Sequence, residues 1–186
     1  MSQTTVLMFH SRYLPSRANT ALLAAANRLP DVDGVDMQKR YADGNLDVDH
    51  EVARLLATDR LVLQFPIQWY STPPLLQSWQ DQVLTRLFYL AYQEEGRHFE
   101  GTPIMLAVTA GNTPEAYQPE GQNGFPLSTL LTPLQATARR CGLPWAEPFV
   151  LFQADRLSDA ELALACQSYV QQIQAWQTQT ALTGEA

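Results

Sequence analysis

QFPIQWYSTPPLLQSWQDQV, residues Gln64 to Val83, runs from an apolar strand through a proline, two adjacent aromatics and two more prolines into a helix. The run Arg60 to Phe65 is apolar enough for a strand buried on both faces, and Pro66 withdraws a ladder donor and ends it. Pro66, Ile67, Gln68, Trp69 and Tyr70 therefore sit at the carboxyl end of a strand, where open α/β sheets hold ligands. Two large aromatics beside backbone amides suit a flat conjugated ring with polar edges. The competing expectation is that Trp69 and Tyr70 fold back onto the core.

Outward from this stretch, strands and helices alternate. Thr4 to Phe9 reads as the first strand, Arg17 to Leu29 as a helix, Val35 to Tyr41 as the second strand and Asp49 to Ala57 as a short helix. Pro73 and Pro74 fit the first turn of a helix reaching about Tyr92, because proline costs least where amides lack partners. Pro103 to Thr109 is a fourth strand, Pro126 to Cys141 a helix and Phe149 to Gln153 a fifth strand. Ser158 to about Gln179 closes the chain as a helix, opened by the capping-box pattern of Ser158 and Glu161. This is an α/β pattern: one parallel sheet of five strands, helices on both faces, and a single domain over residues 1–186.

Composition excludes several functions. The 186 residues are 46% hydrophobic and 17% charged, enough for one full core. Twelve basic against nineteen acidic residues give a net charge of −7, which disfavours nucleic acid and the anionic membrane surface. No stretch suits a bilayer span and no signal core follows the N-terminus, so a cytoplasmic location is expected. Cys141 and Cys166 are too few and too far apart for a disulfide framework or a zinc site, and no cluster has metal-ligand spacing.

Three loops then share the carboxyl edge of the sheet. HSRYLPSRAN, His10 to Asn19, leaves strand one and enters a helix, so its amides and hydroxyls can meet a phosphate at the positive helix end. Ser16 and Asn19 read equally well as helix caps, and His10 either orients a phosphate or is an ordinary loop histidine. The second loop carries Trp69. The third begins Thr109, Ala110, Gly111, Asn112, where Gly111 permits close backbone approach to a ligand, and it continues to Pro126, a length usual for functional loops. A planar cofactor bearing a phosphate fits this edge better than a metal does.

These residues carry a resemblance. H-x5-S-x-A-N at His10, Ser16, Ala18 and Asn19, YADGNLD from Tyr41 to Asp47, P-x-Q-W-Y-S-x-P-P-L-L from Pro66 to Leu76 with Trp79 and Asp81, and PLQATARRCGLPW from Pro133 to Trp145 together resemble the NAD(P)H:quinone oxidoreductase group of flavodoxin-like flavoproteins. The similarity is greatest to its branch of ancillary flavoproteins from glutathione-regulated potassium-efflux systems. The resemblance implies strand order 2-1-3-4-5 and FMN, with FAD as the variant. The phosphate would be held by residues Ser16, Arg17, Ala18 and Asn19, the ring by Ile67 to Tyr70 and its edge by Thr109, Ala110, Gly111 and Asn112. It implies a homodimer with sites near the subunit interface, NADPH or NADH as hydride donor, and a quinone or similar electrophile as acceptor taking turns in one slot. Gly111 offers its amide at the ring edge and Tyr117 assists proton delivery, or packs its loop only. The ancillary branch adds a regulatory reading, docking on a potassium-efflux antiporter at the inner membrane. A one-electron flavodoxin is disfavoured by the long third loop.

The chain departs from the group at four places. Ala110 and Asn112 interrupt the usual Thr-Thr-Gly-Gly, which leaves backbone contact intact. Gln122 and Asn123 stand where a relay histidine belongs, and a neutral amide cannot titrate as imidazole does. Gln77 replaces a lysine, and Gln80 stands where an apolar residue is common. Arg12 and Arg17 are the candidates for recognising a nicotinamide 2′-phosphate.

Overall fold

The computed structural model describes residues 3–10 and 16–183, and of 182 and 183 the backbone alone. Five strands, β1 (Thr4–Met8), β2 (Val32–Asp36), β3 (Arg60–Pro66), β4 (Ile104–Thr109) and β5 (Phe149–Leu151), pair throughout in parallel in the order β2-β1-β3-β4-β5. This is the flavodoxin-like arrangement. Register sets Met8 beside Asp36 and Gln64, Pro66 beside Thr109, and Thr109 beside Leu151, so the carboxyl ends finish along one edge.

Alternation along the strands divides the core in two. Leu7, Leu61, Leu63, Leu106 and Val108 face a layer built from α3 (Val48–Leu56), α4 (Pro74–Trp79) and α7 (Thr132–Arg140), with Trp79 at its centre. Val6, Met8, Val62, Met105 and Ala107 face α1 (Arg17–Ala26) and the long α8 (Asp159–Thr183), which brings Tyr169, Ile173 and Trp176. Ser158 and Glu161 close a reciprocal cap ahead of α8: Ser158 N donates to Glu161 Oε2 at 2.8 Å and Glu161 N to Ser158 Oγ at 3.3 Å.

Several boundaries differ from the sequence reading. The second strand, expected from Val35 to Tyr41, is Val32–Asp36, and Met37–Arg40 forms a helical turn, α2, because the Asp36 carboxylate accepts from Lys39 N at 2.9 Å and caps it. The expected helix Pro126 to Cys141 divides at Leu131 into α6 (Leu127–Leu130) and α7, whose second residue is Pro133; a proline there has no amide to extend the preceding turn. The helix that begins at Pro74 widens into π-helical turns at Gln80–Leu84 and Arg86–Leu90 and breaks at Ala91, where φ is −130°. A further turn, Tyr92–Gly96, leads into α5 (Arg97–Phe99). The fifth strand ends at Leu151 rather than Gln153, whose φ of 52° leaves the extended region.

At the β2 edge, Asn27 just past α1 exchanges two hydrogen bonds with the Gly34 backbone, at 2.7 and 3.1 Å. A Cβ on Gly34 would stand 2.6 Å from Asn27 Oδ1, so this contact requires glycine.

Candidate functional site

The mouth of α1 is fixed from inside the protein. Ser16, in extended conformation, accepts from Asn19 N at 3.2 Å through Oγ, and Asn19 Nδ2 donates to Ser16 Oγ at 2.9 Å and to Thr109 Oγ1 at 2.8 Å. Gln64 Nε2 donates to the Asn19 carbonyl at 2.8 Å, and Tyr169 Oη donates to Gln64 Oε1 at 3.3 Å. Asn19, Gln64, Thr109 and Tyr169 are all buried. Burial drives the Tyr169 hydroxyl far above its ordinary range, so it stays a neutral donor.

The Asn19 and Thr109 side chains thus join α1 to β4 and point into the protein. What α1 presents outward is backbone. With Asn19 N held by Ser16 Oγ and Thr20 N by the Ser16 carbonyl, the amides of Arg17 and Ala18 remain at the positive helix end. The Arg17 guanidinium is engaged elsewhere, donating to the Leu157 carbonyl at 2.7 Å and to Asp159 at 2.6 Å. Arg12 lies outside the described residues. His10 Nε2 sits 3.3 Å from Asp36 Oδ1, tying the ends of β1 and β2.

After β3, Ile67 N donates to the Thr109 carbonyl at 2.8 Å, and Gln68 and Ser71 exchange bonds of 3.0 and 2.9 Å across a two-residue turn. Its central residues are Trp69, φ 48°, and Tyr70, φ 62°. Both central φ values are positive, as in a type I′ turn, a conformation normally left to Asn and Gly. Two aromatics held there are strained, and such outliers gather at binding sites. The expectation that this pair folds onto the core fails: Trp69 is 94% and Tyr70 50% exposed. The reason lies in the turn, whose backbone bonds hold both residues at the tip of the hairpin.

The third loop returns to the other two. Asn112 Oδ1 accepts from Thr113 N at 2.9 Å, and its Nδ2 donates to Gln122 Oε1 at 3.0 Å. Ala110 is bound on both backbone sides to the β5 region, its amide to the Leu151 carbonyl and its carbonyl to Ala154 N. At Gly111 the nearest atom to an added Cβ is Asp155 Oδ1 at 3.5 Å, and Gly111 itself is exposed, so backbone there is open to a ligand. A 3₁₀ turn, Pro114–Tyr117, buries the Tyr117 ring against Phe152, centroids 5.7 Å apart. Burial, and secondarily the neighbouring Tyr70, raises the Tyr117 hydroxyl above its usual range, so it is a neutral phenol at physiological pH. Tyr70 Oη reaches Asn123 Oδ1 at 3.4 Å. Gln122 thus ties the loop back to its start at Asn112, and Asn123 ties it across to the aromatic turn.

All three strand ends are thus linked by named bonds: Asn19 to Thr109, Ile67 to Thr109, Tyr70 to Asn123. Sequence reasoning missed Gln64 and Tyr169 as the base of this junction, although a glutamine inside a strand buried on both faces demands an internal partner. It also missed Phe152, which no local pattern marks. Among the described residues, no group of three or more His, Cys, Asp or Glu is placed to hold a metal ion.

The family model for the flavodoxin-like fold matches residues 2–175. The chain belongs to this family. A Bacillus subtilis protein named as an uncharacterized NAD(P)H oxidoreductase is 37% identical over 171 residues, covering 92% of this chain and 86% of its own length. The ancillary protein of a glutathione-regulated potassium-efflux system from Cronobacter sakazakii is 38% identical, covering 91% of this chain and 92% of its own. Among solved structures, a general stress protein 14 from Treponema denticola in complex with FMN superposes with TM-score 0.80 at 28% identity, covering 93% of this chain and 98% of that one. No helix of the described residues is long and apolar enough to cross a membrane.

Proposed function

We propose that the chain is an FMN-dependent oxidoreductase that takes electrons from NADPH or NADH and delivers them in pairs to a quinone or similar small electrophile, donor and acceptor using one slot in turn. The observation that carries this is the junction of three strand-end loops through Thr109, with backbone offered outward at the first and third and the aromatic pair at the second. The residues fit the cofactor: the Arg17 and Ala18 amides suit its phosphate, the open Gly111 backbone suits the polar ring edge, and the aromatic turn borders the ring. When bound, the flavin supplies the two-electron chemistry.

The chain's own contributions are narrower. Ser16 and Asn19 keep the helix mouth in position from behind. Gly111 N is the donor for charge that grows at the ring edge, and Tyr117 Oη, neutral, holds a proton near the acceptor. The relative solved with FMN supports the mononucleotide over FAD, and the relative named an NAD(P)H oxidoreductase supports the donor.

The test is direct. The purified protein is expected to be yellow or to take up one FMN per chain, bleach on adding NADPH or NADH, and recover its colour with a quinone. A protein that stays colourless through an FMN titration sinks the proposal.

A second reading is favoured by the potassium-efflux relative: the loaded protein docks on such an antiporter and regulates it. Co-purification with the antiporter's cytoplasmic part tests that docking independently of turnover. We also propose a homodimer, which gives the exposed Trp69 an apolar neighbour; molar mass by light scattering decides it.

A further inference from the structure

Behind the aromatic turn lies a cavity of about 130 Å³ between α4 and the α6–α7 pair, lined by Ile67 and Ser71 at the foot of the turn. Ser16, Gly111, Asn112 and Tyr117 do not line it. Its apolar surface comes from Phe65, Leu130, Leu131 and Leu134, and no charged side chain borders it. Thr72 and Gln80 also line it, and Thr72 Oγ1 and Gln80 Oε1 are buried with no hydrogen-bond partner among the described residues. Gln80, Leu134 and Thr137 continue into a smaller cavity of about 10 Å³ that Trp79 borders, and Trp79 Nε1 is likewise buried and unpartnered.

Buried polar atoms are left without partners rarely, and each is costly unless something answers it. The smaller cavity matches a single water, with a donor in Trp79 Nε1 and an acceptor in Thr137 Oγ1, whose own proton goes to the Pro133 carbonyl, which leaves Gln80 Oε1 to the larger cavity. The larger approaches the roughly 150 Å³ of an engineered cavity that takes up benzene. It differs in its wall, which carries the hydroxyl residues Ser71, Thr72 and Thr137 and the carboxamides Gln77 and Gln80, of which Thr72 Oγ1 and Gln80 Oε1 are the buried atoms without a partner. The helix also leaves α geometry at Gln80, the first residue of a π-helical stretch, and π turns inside helices occur frequently at functional sites.

We propose that this cavity is a second ligand site, for a small neutral phenol whose ring lies against Phe65, Ile67 and the leucines of α6 and α7 and whose hydroxyl donates to Gln80 Oε1 and accepts from Thr72 Oγ1. Size sets the single ring, the uncharged lining sets neutrality, and the two orphaned atoms set the hydroxyl. The site lies behind the proposed FMN site and shares Ile67 with it, but none of the phosphate-loop or Gly111-loop residues.

The experiment is calorimetric titration of the full chain with phenol, with and without prior saturation by FMN, beside benzene as the ring without the hydroxyl. One saturable phenol site is expected in both forms, with benzene weaker by roughly tenfold or more, since the hydroxyl's two hydrogen bonds are lost. Gln80→Leu, similar in volume and lacking the acceptor, is expected to weaken phenol by a like factor. Thr72→Val gives the same comparison if Gln80→Leu fails to fold. Absence of saturation means that water alone fills the cavity and overturns the proposal. So does phenol affinity unchanged in a folded variant, or phenol displaced by FMN, which would put the phenol in the ring site.

Discussion

Asn19 Nδ2 donates to Thr109 Oγ1 across 2.8 Å, joining the first turn of α1 to the last residue of β4 inside the protein. Asn19→Ala leaves the Thr109 hydroxyl without its donor and takes from Gln64 Nε2 its 3.2 Å contact with Asn19 Oδ1, while the bond to the Asn19 carbonyl stays. Each such loss costs about 1–3 kcal/mol, and in a chain of this size each kcal/mol lowers Tm by about 2–4 °C. The flavin-free variant is therefore expected to melt several degrees early. Ser16→Ala removes one cap, worth about 0.5–2 kcal/mol. In the double variant FMN affinity is expected to fall while kcat of the saturated enzyme stays within about twofold, because the lost contacts anchor and do not react. Differential scanning fluorimetry and flavin titration measure the two effects; unchanged flavin affinity removes the phosphate assignment.

Trp69 stands outside the core, so Trp69→Ala is expected to change flavin-free stability by less than about 0.5 kcal/mol in urea denaturation. Stacking at a ring is worth about 0.5–1.5 kcal/mol beyond area burial, and FMN or acceptor binding should weaken by that much. Trp69→Gly relieves a left-handed conformation that costs an L-residue about 1–2 kcal/mol and is expected to be at least as stable as wild type.

With Gln122 and Asn123 in amide-to-amide and amide-to-tyrosine contacts, reoxidation by quinone is expected to show no ionisation from this loop near the free imidazole value of about 6.5. Gln122→His is expected to introduce one. Tyr117→Phe is expected to slow the same half-reaction modestly and leave reduction by the nicotinamide unchanged. Stopped-flow measurement of both half-reactions across pH checks all three outcomes, and an unaffected Tyr117→Phe variant takes Tyr117 off the reaction path.

A Cβ on Gly121 would stand 2.2 Å from the Glu115 carbonyl oxygen and 2.6 Å from that of Ala116. Both are backbone atoms, so no rotamer relieves the clash. Gly121→Ala is expected to displace the turn that carries the bond from Asn123 N to the Ala116 carbonyl. Faster proteolysis within residues 111–126, slower acceptor turnover and a nearly unchanged global Tm are the expected signs. Gly124→Ala is the contrasting case: open space surrounds it, but its φ of 71° makes alanine cost about 1 kcal/mol through backbone strain.

Burial pushes the Cys141 thiol up to about 11, against a smaller opposing pull from Arg140. A thiol in the unfolded chain titrates near about 8.5. The folded state thus holds this proton more tightly, its stabilising effect is complete below the unfolded value, and it is lost as pH rises through the folded one. Between about pH 8.5 and 11, Tm of Cys141→Ala is expected to decline less steeply than that of the wild type.

The parallel sheet covered on both faces was legible because β1, β3 and β4 are apolar runs with few rival readings; the strand order came from the family resemblance. The second strand was not: its residues VDGVD are half-buried at an edge and barely alternate in hydropathy, whereas Met37–Arg40 looked strand-like until the Asp36 cap curled it. At the site, the loops and their order were legible from residue type and spacing. The outward tip of Trp69 and Tyr70 was not, since a type I′ turn built from aromatics carries no Asn-Gly signature. The inward aim of Asn19 depends on Gln64 and Thr109, 45 and 90 residues away, and no local window contains such a partner.

The pairing of Asn27 with Gly34 bears on how this molecule behaves in a crowded solution. A carboxamide is a peptide group in miniature, and here it meets the N–H and C=O of the outermost strand as a neighbouring chain would. On the β2 edge, the backbone groups of Gly34 that could recruit a stray strand are already occupied. Removing that one side chain, as in Asn27→Ala, would expose a two-pronged docking point flanked by Val32 and Val35, and colloidal stability, more than folding, is the property at stake.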